Sequence, residues 1–270
     1  MLSDITIGQF FPGNSLLHRM DPRVKLALTF AYIIVVFLPH NWVGLGLALG
    51  FLVLCVLLSH IPPRLIVKGL KPVLPLLLFT SLINIFYVKG TPVVSFWVLT
   101  ISREGIYTAV FIALRILCLI AASSLLTYTT SPTTLTDALE RLMSPLKWLR
   151  VPVHEIAMMM TIALRFIPTL IEETDKIMSA QKARGADMEN GNLLQRVRAL
   201  IPVLVPLFVS SFRRAYDLAT AMECRCYHGG EGRTRMKQLH LGMRDVLALI
   251  VMAVLAVALI VSNQFLPRVI

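Results

Sequence analysis

The 270-residue chain is 56% hydrophobic and only 15% charged, with a mean hydropathy of +0.74. Soluble domains carry about a quarter charged residues, so this composition excludes a water-covered globule and selects an integral membrane protein. A net charge of +11 would suit nucleic acid only with a basic stripe interleaved by stacking aromatics; the sequence shows none, and no nucleic-acid partner is expected.

In chain order, the opening "MLSDITIGQFFPGNSLLHRMDPRVK" lacks the early apolar segment of a cleaved signal peptide, so the chain is expected to enter the membrane uncleaved. Apolar runs follow at 24–39, 42–59, 72–88 and 104–128, with a fifth at 243–262. Each approaches the roughly 20 residues a helix needs to cross about 30 Å of hydrocarbon. Backbone groups in lipid must find partners internally, which predicts helices. The first run is short, and Lys25 can snorkel to the interface. Cys55 and Cys118 lie inside apolar runs, where a thiol packs as a small apolar group, and no disulfide framework is predicted.

With the N-terminus in the cytosol, 22 basic residues fall on the inner side and only Lys89, Arg103 and Arg268 on the outer side. That asymmetry sets the expected orientation in the membrane, with the C-terminus outside. The remaining cation, Arg115, lies within the fourth run. A charge at that depth faces a partner in the bundle or snorkels; Asn84 is the polar neighbour expected for it, as a structural pair rather than a transport path.

Residues 130–242 are too long for a bare loop and carry helical periodicity. A first helix is predicted over about 133–144, with Thr134 and Asp137 spaced as a capping box and Pro145 closing it. A second covers 152–184, with Ile156, Met160, Ala163, Ile167, Leu170, Thr174 and Met178 on one stripe. A third covers 193–226, its apolar middle broken by Pro202 and Pro206. Neither long helix has an uninterrupted apolar run of membrane length, so both are expected at the cytoplasmic surface, apolar halves on the membrane and polar ends in the cytosol; two further kinked spans are the alternative. The expected fold is thus an all-α integral membrane protein: a bundle over 1–129, a cytoplasmic helical region over 130–242 and a last transmembrane helix over 243–270, giving five spans and three amphipathic helices.

The two long helices end alike, in "KARGAD" and "ECRCYHGG". Arg184 and Arg225 each terminate a helix between small residues. A cation at a helix C-terminus complements the macrodipole, which explains the charge but not the small flanks, which would let another protein's surface approach closely. The stretches "GQFFPGNSLLHRMDPRVKL", "LRFIPTLIEETDKIMSAQKARGAD" and "VPLFVSSFRRAYDLATAMECRCY" resemble, in this order and over essentially the whole chain, the transmembrane coupling subunit (T component, CbiQ-like) of energy-coupling factor transporters, relatives of ABC importers. The resemblance implies two coupling helices whose Xaa-Arg-Xaa ends dock on two ABC-type ATPases, which bind ATP and Mg, while a separate membrane S component binds a vitamin or related micronutrient. It places the docking motifs at Ala183-Arg184-Gly185 and Cys224-Arg225-Cys226. Cysteines replace the alanine and glycine favoured at the second motif, which leaves that helix without its usual glycine stop unless Gly229-Gly230 serve a turn later.

Enzymatic readings find little support. The sequence has no Gly-x-x-x-x-Gly-Lys-Ser/Thr loop and no His-Glu-x-x-His, so no catalytic residue, no metal site and no cofactor bound by this chain is expected. Adjacent Glu172 and Glu173 point about 100° apart on a helix and read as a solvated face. Cys224, Cys226 and His228 lack an evident fourth ligand for zinc, and His18 and His154 read as interfacial. The other class of function, a self-contained secondary transporter or channel, would need paired charges or broken helices in two repeated halves; only Arg115 qualifies.

Overall fold

The structure, a computed structural model, describes residues 10–88, 91–96, 99–186, 192–230 and 240–265. The chain is an all-α integral membrane protein apart from, among the described residues, one short antiparallel strand pair, and its described residues fall into two compact units. The larger comprises the described residues up to Ala138 together with 240–265. It contains α1 (Pro22–Val35), α2 (Trp42–Ser59), α3 (Pro63–Leu70), α4 (Leu74–Tyr87), α5 (Arg103–Thr129) and α9 (Met243–Phe265). A 3-10 turn at Lys71–Val73 joins α3 to α4 where Pro72 and Pro75 interrupt the backbone ladder. Strands β1 (Pro92–Phe96) and β2 (Leu99–Ser102) pair antiparallel between α4 and α5.

Two polar clusters tie the helix ends of this unit. At one end Asp21 caps α1 by accepting from the Arg23 N–H (2.9 Å), and its own N–H donates to Asp245 of α9 (2.9 Å). Lys25 donates to the Thr129 carbonyl at the end of α5 (2.9 Å), a cation at the negative pole of that helix. At the other end Asn41 caps α2 through the Gly44 N–H and donates to the Ser262 carbonyl (2.8 Å), while Asn263 donates to Leu38. The starts of α1 and α9 and the finish of α5 therefore share one end, and the α1–α2 turn and the finish of α9 share the other, as alternating crossings require.

Between the clusters lies an apolar core containing Tyr32, Val36, Ala48, Leu52, Cys118, Ala121, Leu125, Met252 and Leu259. The Tyr32 hydroxyl donates to the Ala48 carbonyl (2.9 Å), which satisfies the one polar group that this ring brings into the core. Gly105 allows α4 and α5 to close: a Cβ there would stand 2.9 Å from the Ile85 carbonyl oxygen. Helix α1, expected to be the first span, is shorter than the apolar run over 24–39 predicts and is not among the helices long enough to cross a membrane. α1 stops at Val35 and is completed by hydrogen-bonded turns to Leu38, ahead of Pro39.

Helix α6 (Pro132–Leu142) leads into the second unit, whose described residues are 139–186 and 192–230. The predicted capping box at Thr134 and Asp137 is displaced: Ser131 accepts from the Thr134 N–H (3.3 Å), and the helix starts at Pro132. A 3-10 turn over Ser144–Leu149 precedes α7 (Val153–Ala183), and α8 (Leu193–Glu223) follows. Among the described residues six helical segments are long and apolar enough to cross a membrane, the α3–α4 run counted as one. α7 and α8 qualify on length and composition, against the sequence expectation, but are the least apolar of the six. Both contain proline, at Pro168 in α7 and at Pro202 and Pro206 in α8.

Candidate docking site at the ends of α7 and α8

α7 and α8 run antiparallel. Arg214 lies over the Phe166 ring (6.0 Å to its centre) and pairs with Glu173 (3.0 Å), Ser210 also donates to Glu173, and Gln181 donates to the Pro202 carbonyl (3.3 Å). Positions that rise along α7 thus meet positions that fall along α8. Each contact has a local cause. Pro206 has no N–H, so the Pro202 carbonyl four residues earlier loses its helical donor, and the Gln181 amide replaces it. Glu173 is half-buried, its side chain 24% exposed against 37% for Arg214, and its carboxylate takes two donors. The sequence reading of Glu172 and Glu173 as one solvated face holds for exposed Glu172 and fails for Glu173, because a partner 41 residues away leaves no periodic trace.

Both helices end in the same hydrogen-bond pattern. At α7 the Gly185 N–H donates to the Lys182 carbonyl (3.0 Å) and the Ala186 N–H to Gln181 (3.0 Å), with Gly185 at φ +85°. At α8 the Cys226 N–H donates to Glu223 (2.9 Å) and the Tyr227 N–H to Met222 (3.1 Å), with Cys226 at φ +55°. These are two Schellman closures, and Arg184 and Arg225 hold the same position in each, one residue before the left-handed one. The glycine missing from the second motif is therefore replaced in place by Cys226, and the stop does not wait for Gly229. A side chain in that conformation costs about 1–2 kcal/mol.

Arg184 and Arg225 are exposed, as are Ala183, Gly185, Cys224 and Cys226. Neither guanidinium has a hydrogen-bond or ion-pair partner among the described residues. Because the helices are antiparallel, the two arginines stand at opposite ends of the pair. From the cross-helix contacts Arg225 lies level with a point about 26 residues before Arg184, a separation of about 40 Å at 1.5 Å per residue.

Residues 13–236 match the family described as cobalt transport protein, CbiQ. The chain belongs to the CbiQ family. It is 57% identical over 247 residues to the energy-coupling factor transporter transmembrane protein EcfT of Ruminiclostridium cellulolyticum, covering 92% of each chain. It is 52% identical over 265 residues to the protein of that name from Clostridium kluyveri, covering 97% of this chain and 98% of that one. A third EcfT, from Thermosediminibacter oceani, is 50% identical over 262 residues.

Elsewhere in this CbiQ chain the candidate residues have local structural partners. The expected Arg115–Asn84 pair is not formed. Arg115 donates to the Pro39 carbonyl (2.7 Å) and stacks over Phe111 and Phe37 at 4.9 and 5.6 Å, while Asn84 donates to Thr80 one turn back in α4. A carbonyl freed beside a proline turn outcompetes a side-chain amide already used by its own helix. His18 bonds Ser15 and the Phe11 carbonyl, and His154 meets Glu140 at 3.1 Å. No group of three His, Cys, Asp or Glu side chains placed to hold a metal occurs among the described residues. The Glu173–Arg214 pair and the Gln181 amide are what sequence reasoning missed; the spacing of prolines in α8 was the available signal for the second.

Proposed function

We propose that this protein is the transmembrane coupling subunit of an energy-coupling factor importer for a vitamin or related micronutrient. It carries no catalysis of its own. Two ABC-type ATPases, which bind ATP and Mg, dock on Arg184 and Arg225, and a separate S component supplies the substrate site. Their movement passes through the α7–α8 pair to that S component. The observation that carries this reading is the matched ends: two guanidinium groups, unpaired among the described residues, at one position of one closure motif, about 40 Å apart. A guanidinium presents five donors in a rigid fork suited to a carboxylate, and the small flanking residues leave it accessible.

The arrangement also favours α7 and α8 lying along the cytoplasmic surface. An antiparallel pair crossing the bilayer would send its two arginine ends to opposite sides of the membrane and sink the Glu173–Arg214 pair in hydrocarbon, which is costly for charges. Lying flat puts both arginines within reach of cytosolic ATPases. It also turns the exposed stripe Val197, Ile201, Leu204, Phe208 and Phe212 toward apolar surroundings, lipid or the S component. The test is the double variant Arg184→Ala/Arg225→Ala. Truncating one partner of an interfacial charge pair costs about 2–5 kcal/mol, so each change should weaken docking at least about thirty-fold. The double variant should reach the membrane, lose both ATPases on purification and lose uptake; retained uptake would refute the assignment.

A further inference from the structure

The larger unit holds a cleft of about 290 Å³ lined by α1, α2, α5 and α9. Its walls are almost wholly apolar, with Leu28, Phe51, Leu58, Leu126 and Val251 among them, and two cations, Lys25 and Arg244, also line it. Lys25 is only 7% exposed, and its ammonium has a single hydrogen bond among the described residues, to Thr129. An ammonium has three donors, so a buried one with a single acceptor is under-satisfied. Arg244 stands in the first turn of α9, where the helix dipole disfavours a cation, and has no partner among the described residues. Asp245 and Asp21 act on the Lys25 charge from nearby, but Asp21 also pairs with Arg23, so three cations, Arg23, Lys25 and Arg244, share two carboxylates.

We propose that this cleft binds one anionic phospholipid, its phosphate at Arg244 and Lys25 and part of an acyl chain along the apolar wall. The charge decides between a lipid and an apolar partner helix: Arg244 and Lys25 stand together at one end of an otherwise apolar wall, the order of a phosphate above an acyl chain. Leu58 to Phe51 on α2 is seven residues, about 10 Å of wall at 1.5 Å per residue, and it extends from the same end as the cations. By the distribution of basic residues that end faces the cytosol, where membranes carry anionic headgroups.

The test uses the purified full-length chain in detergent, titrated with phosphatidylglycerol and with phosphatidylcholine of identical acyl chains and read by native mass spectrometry. One phosphatidylglycerol should be held at least about fivefold more tightly than phosphatidylcholine, the factor expected of about one basic residue at a membrane surface. Arg244→Gln, a change at an exposed side chain, should remove that preference. Ala248→Phe, which fills the cleft, should lower retention of both lipids, and glycerol phosphate without acyl chains should not displace the bound lipid. Equal retention of the two lipids, an unchanged preference in Arg244→Gln, or displacement by glycerol phosphate would overturn the proposal.

Discussion

The bundle and the α7–α8 pair solve the same problem in opposite ways. In the most apolar 18-residue stretch of α2, α5 and α9, 28–33% of residues are buried; in the corresponding stretches of α7 and α8 the figure is 6%. The bundle makes its own core and closes both ends with capped polar clusters. The pair is held by a few directed contacts between Phe166 and Gln181 on α7 and Pro202 and Arg214 on α8, and leaves most of its surface uncovered. One region buries its own apolar surface; the other leaves apolar faces and, among the described residues, two guanidinium groups open, which is the surface that the proposed partners would cover.

Three substitutions sharpen that contrast. The largest effect on stability belongs to the bundle: Gly105→Leu forces α4 from α5 and should cost about 3 kcal/mol, the upper range for overpacking, visible as a lower unfolding midpoint in detergent. In the pair, Glu173→Gln removes the charge that Ser210 and Arg214 share. The pair is partly exposed, so the stability loss should be about 1 kcal/mol after screening. The marked change should instead be in the ATP consumed per substrate imported, and exchanging the charges (Glu173→Arg with Arg214→Glu) should restore it in part. Coupling unchanged in Glu173→Gln would mean that the two helices need no clasp. The smallest effect is a gain: Cys226→Gly relieves a left-handed side chain and should add about 1 kcal/mol to the closure of α8, with ATPase docking intact.

How far the sequence discloses this molecule varies with the kind of force. Uniform apolar runs with polar ends are legible: 42–59 matches α2 because Asn41 and His60 bound it, and Arg184 ends the predicted second helix as it caps α7. The matched arginine ends were legible because both helices end in the same local pattern. Contacts between distant residues were not. Arg115 selects a backbone carbonyl, which no residue type announces, and Glu173 meets Arg214 across 41 positions. The strand pair Pro92–Phe96 and Leu99–Ser102 also escaped, since its strands are only five and four residues long. Cys226 took the left-handed position because the Schellman bonds compensate a conformation that cysteine alone disfavours.

Both arginine ends are proposed to lie on the cytosolic side, and labelling by a membrane-impermeant maleimide reads their sidedness. Cys224 and Cys226 already mark one end and are exposed; Ala183→Cys marks the other, with Cys55 and Cys118 changed to alanine. Intact cells should leave both ends unlabelled, and inside-out vesicles, stripped of ATPases, should label both. Labelling of either end from outside intact cells would place α7 and α8 across the membrane and contradict the proposal.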